Sequence, residues 1–219
     1  MGYTSWGLHM PTFTIATAIP VVFLGLVIGQ TRTGGDTEGS RRAYEFLATR
    51  RNWTALPPQF LRILSNRLKS PDKAREFADL CEKGRIFKER VLPLSEEHRK
   101  DPEAAVFMLS SVLTSHAGGQ MNRKQYSQAK TTLDLALLLN PTFWPAWGRL
   151  AIVSLVQNDC PSAIYWADKV LSSKEARFSR REEKEVAETL EDPNIVGTTE
   201  KTIAGMNWVK STCKAANGQ

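Results

Sequence analysis

No stretch between residues 40 and 214 alternates apolar and polar side chains with the period of two that a half-buried strand needs. The apolar residues recur instead at intervals of three and four. That spacing predicts helices near 40–52, 57–69, 72–90, 102–116, 124–139, 144–157, 161–173, 178–190 and 200–214, so the expected fold class is all-α. Positions 147, 150, 151 and 154 share one helix face, and positions 163, 164, 167, 170 and 171 share the facing side of the next helix. Pro161 suits a first turn, where a missing N–H leaves no bond unmade.

The strongest pattern is internal. Residues 144–171 read WPAWGRLAIVSLVQNDCPSAIYWADKVL, and a step of 34 residues back reaches YSQAKTTLDLALLLNP. The later segment resembles a tetratricopeptide repeat. Trp147, Leu150 and Ala151 stand where that family places its first-helix Trp, Leu and small residue, and Ala163, Ile164 and Leu171 take second-helix packing positions. Val170 replaces the family's usual late Ala. In the earlier unit Tyr126, Ala129, Leu133, Ala136, Leu137 and Pro141 match the second helix and the closing Pro. Its first helix matches poorly around HAGGQ, residues 116–120, so an irregular unit or a longer loop is expected there.

The resemblance implies a short α-solenoid that binds other proteins in a groove lined by its first helices. Those groove positions are Gly148, Ile152, Leu155 and Val156, whose apolar character suits a hydrophobic helix or an extended segment as ligand. Flanking helices that covered them would turn them into core instead. About three repeats are needed to bury a continuous core, so other helices must complete the stack. Residues 41–101 are expected to pack on the repeats at 102–177, with capping helices and a tail at 178–219.

The chain carries no Asp, Glu, Lys or Arg from Met1 to Gln30. Within that stretch, residues 12–29 (TFTIATAIPVVFLGLVIG) would form a helix about 27 Å long, the thickness of a bilayer's hydrocarbon. A cleaved signal peptide would show a basic leading region and a small-residue cleavage site, so a retained transmembrane helix is expected. Residues 1–11 then form a short non-cytoplasmic N-terminus and residues 30–40 a linker. Arg32, Arg41, Arg42, Arg50 and Arg51 follow the span and none precedes it, which puts the soluble domain on the cytoplasmic, matrix or stromal side. Gly25 and Gly29 form a G-x-x-x-G that admits a second helix, and Pro20 can kink the span.

The net charge of +6 is spread through mixed-sign helices, and no nucleic-acid-binding motif is present. Anionic lipid head groups near the linker are the expected partners of that charge, rather than nucleic acid. Cys81, Cys160 and Cys213 form no close pair or ligand pattern, and reduced thiols are expected. None of the three histidines has a metal-ligand partner at helical spacing, and no catalytic fingerprint appears, so neither an enzyme nor a cofactor is expected. Trp53 and Trp208, near helix ends, are candidate interface aromatics. The expected function is a non-catalytic scaffold, an accessory subunit held to other membrane-protein subunits. The alternative is a transient, membrane-tethered assembly factor or adaptor.

Overall fold

The computed structural model describes residues 37–174, 176 and 198–216. Among them are nine α-helices and no strand: α1 Glu38–Thr49, α2 Pro58–Leu68, α3 Pro71–Lys83, α4 Leu92–Glu97, α5 Pro102–Asn122, α6 Tyr126–Leu139, α7 Trp144–Val156, α8 Cys160–Ser172 and α9 Thr198–Ala216. The all-α expectation therefore holds for the described residues. Among these residues no helix is long and apolar enough to cross a membrane. The span at 12–29, with Pro20, Gly25 and Gly29, lies outside them, as does the expected helix at 178–190.

Local chemistry explains where the helices start. Proline occupies one of the first two positions of α2, α3, α4, α5, α7 and α8, where its fixed φ favours the helix and its absent N–H is not missed. Side chains of Thr37, Ser70, Asp101 and Asp159 accept hydrogen bonds from the exposed N–H groups of the first turns of α1, α3, α5 and α8.

The helix expected over 72–90 is divided. Beyond Gly84, Arg85 has φ 58°, a left-handed conformation that an α-helix cannot continue. A π-helical turn at Phe87–Val91 then leads into α4. The irregular first helix expected near HAGGQ is also corrected. Residues 116–120 lie inside α5, which runs unbroken to Asn122 with no long loop.

The two helical pairs α5–α6 and α7–α8 repeat in detail. Lys124 and Asn158, 34 positions apart, both take the left-handed conformation in the turn, at φ 61° and 60°. In the first turn Lys124 N donates to Met121 O and Gln125 N to Gln120 O. In the second, Asn158 N donates to Leu155 O and Asp159 N to Ser154 O, the same bonds shifted by the same step. Ala129 and Ala163 are fully buried, as small residues at a close helix approach should be, and so are Ala136, Leu150 and Ala151. Pro141 is exposed just past the end of α6.

One large core joins helices α1 to α7, with Leu47, Trp53, Phe60, Phe77, Leu109, Leu133 and Leu150 among its members. Through it α2 packs on α5 and α6. A second, smaller cluster closes the other end. There Ala151, Ala163, Ala167 and Val170 meet Met206, Val209 and Cys213 of α9. Two sequence expectations fail in these cores. Cys160 and Cys213 form a disulfide that ties α8 to α9, because the cap brings together thiols 53 residues apart. Only Cys81 remains a thiol, fully buried, and burial pushes its pKa up. Trp53 is no interface aromatic. Its indole is wholly buried against Phe77 and Phe87, because the 3-10 turn at Trp53–Ala55 directs it inward.

Candidate partner-binding groove

The groove expected from the repeat would run along α5 and α7, the first helices of the two pairs. On α7 the candidate residues have unequal fates. Ile152 and Leu155 are half-buried and pack against the small cluster that α9 completes. They are shared between core and surface, because α9 lies against both α7 and α8. Val156, at the end of α7, is half-buried. Gly148 is buried from solvent, yet a Cβ placed there would meet no atom within 4 Å. Part of the expected groove face is thus taken up by packing against the cluster that α9 completes.

Trp147 is half-buried between α7 and α8, its ring 5.3 Å from the Lys169 ammonium, which also lies 5.1 Å and 5.3 Å from the Tyr165 and Trp166 rings. This places an ammonium on an aromatic platform at the back of α8. Tyr165 and Trp208 are each about half exposed, so Trp208 remains available as a surface aromatic on α9.

Arg149, next to Gly148, was not singled out by sequence reasoning. Its guanidinium crosses to α5 and rests against Gly118, where a Cβ would collide with Nη1. Burial alone pushes its pKa below the usual range, with no neighbouring charge contributing. The signal was present in the sequence as a pair, a glycine on α5 and an arginine on α7, but their contact depends on how the two helices pack.

The other charged cluster is structural. Arg50 Nη2 donates to Asp79 and to Glu82 at 2.7 Å each, and Trp53 Nε1 donates to Glu82 at 2.9 Å. The Arg50 guanidinium, with help from Trp53, holds the Glu82 carboxyl below its ordinary range. These bonds lock the end of α1 to α3. Among the described residues no group of three or more His, Cys, Asp or Glu side chains is placed to hold a metal ion.

In comparison with known proteins, no family model, curated protein or solved structure matches the chain.

Proposed function

We propose that this chain is a non-catalytic, membrane-anchored scaffold of tetratricopeptide-like helical pairs, an accessory subunit that holds partner proteins along α5 and α7. The observation that carries this reading is the recurrence of one turn geometry at a step of 34 residues, from Lys124 to Asn158. Stacked pairs of this kind present one continuous face of first helices, and such faces bind protein segments. The uncharged stretch at 12–29 supports the anchor, with Pro20, Gly25 and Gly29 as its contacts to neighbouring helices.

Two signals disagree on the side of the membrane. The arginines after the span favour the cytoplasmic, matrix or stromal side. The Cys160–Cys213 bond argues for an oxidising space, because reducing compartments keep thiols reduced. We give the covalent bond more weight, because two of the five arginines, Arg50 and Arg51, lie past the roughly 15–20 residues over which the rule counts.

The test is a mild-detergent pull-down of the tagged full-length chain, with stoichiometry measured before and after a high-salt wash. Partners held at fixed ratio through the wash support the accessory subunit. Partners lost in salt favour the transient adaptor, and a chain that purifies alone sinks both readings.

A further inference from the structure

Helix α9 packs on α8 and α7 through a thin apolar seam. Its buried apolar residues are Met206, Val209 and Cys213, and all three belong to the small cluster rather than to the large core. A helix in a protein draws most of its stability from its packed face. Here nineteen residues rest on two aliphatic side chains and one half of a disulfide. An ion pair from Lys210 Nζ to Asp168 Oδ1, at 2.6 Å, joins α9 to α8, but half of the Asp168 side chain is open to solvent, where such pairs contribute little. The Cys160–Cys213 bond is therefore a main part of what keeps α9 in place.

The face beneath α9 is built to take a helix. Ala151, Ala163, Ala167 and Val170 are buried there, and their small side chains let a backbone come close. Helix α9 answers with Met206, Val209 and Cys213 at i, i+3 and i+7, one face of a helix. Lys210, at i+4, fixes the direction through Asp168. The two sulfurs differ in access. Cys160 is 8% exposed and Cys213 fully buried, so a thiolate arriving from solvent meets Cys160 first.

We infer that the Cys160–Cys213 bond is a redox latch, and that the face of α7 and α8 beneath α9 receives an amphipathic helix of another protein once the bond is reduced. A dithiol supplies the two electrons. Its first thiolate bonds the Cys160 sulfur, and Cys213 leaves as a thiolate that takes up a proton. Its second thiolate then displaces Cys160, which is protonated in turn, and the dithiol ends as a disulfide. The helix that fits the vacated face carries the pattern of α9: aliphatic residues at i and i+3, a small residue at i+7, and Lys or Arg at i+4. The latch stands or falls without the scaffold reading, because its readouts need no native partner.

The experiment alkylates the full-length chain with N-ethylmaleimide, before and after dithiothreitol, and follows each cysteine by mass spectrometry. The oxidised chain should react nowhere, since Cys81 is fully buried. After reduction Cys160 and Cys213 should react at least tenfold faster than Cys81, whose protection reports that the large core stays folded. Cys213 as slow as Cys81 would mean that α9 remains docked, and overturns the latch. Cys81 reacting in step with Cys213 would make the bond a staple of the whole fold, and overturns it too. Cys160→Ala, which cannot form the bond, supplies the second measurement. Alkylated at Cys213, where the packed seam has no room for the adduct, it keeps α9 off and leaves the face clear. A fluorescent peptide of residues 198–216 with Cys213→Ser should then bind it, by anisotropy, at least tenfold more tightly than it binds the oxidised wild type. Val209→Asp in the peptide should remove that binding. No binding, or equal binding to both chains, overturns the helix-receiving face.

Discussion

Trp53 donates its indole N–H to Glu82 at 2.9 Å, joining the turn after α1 to the last residues of α3. The same carboxylate receives two bonds from Arg50, at 2.9 Å and 2.7 Å. One acidic residue thus gathers the end of α1, the 3-10 turn and α3 into one corner, over a ring cluster of Trp53, Phe77 and Phe87.

Trp53→Phe should destabilise the chain by about 1–3 kcal/mol, from the lost bond and the volume left behind the smaller ring. Denaturant unfolding of the variant against the wild type measures this. An unchanged midpoint would mean that the indole bond and its packing contribute nothing.

The pH dependence of this corner has a definite sign. Glu82 has its folded pKa depressed, chiefly by the Arg50 bonds. Its contribution is therefore full above the unfolded carboxylate value of about 4.3 and is lost as pH falls through the lower folded value. Glu82→Gln should flatten the acid limb of a melting-temperature profile and leave the shape near neutrality alone. An acid limb as steep as the wild type's would assign the loss to other carboxylates.

Reducing the Cys160–Cys213 bond should loosen α9 first. The closed loop spans 53 residues, for which loop-closure entropy gives an upper figure of about 4 kcal/mol. Hydrogen exchange with and without reductant should show faster exchange across 198–216 while α1 to α6 keep their protection. Uniform acceleration throughout the chain would mean that the two cores unfold as one.

Two glycines should respond in opposite directions. A Cβ at Gly39 collides with the backbone carbonyl of Lys69, which cannot move aside, so Gly39→Ala should destabilise by roughly 1–3 kcal/mol. At Gly148 the added methyl meets nothing, and Gly148→Ala should stabilise by about 0.5–1 kcal/mol through helix propensity. Melting temperatures of the two variants decide this, and shifts of the same sign would contradict the packing described.

Ala163→Leu forces a larger side chain into a fully buried position of α8, the helix packed on α7, and should cost about 1–3 kcal/mol. Ala129→Leu, one repeat earlier, should behave alike. If only one of the two variants lost stability, the equivalence of the two pairs would fail.

Much of this architecture could be read along the chain. Prolines at 58, 71, 102, 145 and 161, the caps at Asp101 and Asp159, and apolar spacings of three and four mark where these helices start, though not where α3 and α5 end. The step that relates Ala129 to Ala163 was visible for the same reason. Helix formation and capping act between residues at most four apart, so their chemistry is written in consecutive letters.

The misreadings share a different physics. The break at Arg85, the inward turn of Trp53, the bond between Cys160 and Cys213 and the lodging of Arg149 on Gly118 all involve groups far apart in sequence, or a backbone angle that only packing enforces. An exposed tryptophan and a buried one look the same as letters, as do a free cysteine and half a disulfide. Periodicity specified which faces are apolar, and hence an all-helical stack. Which face meets which other face depends on close packing of the whole chain, because that choice satisfies or strands each polar group at the seams.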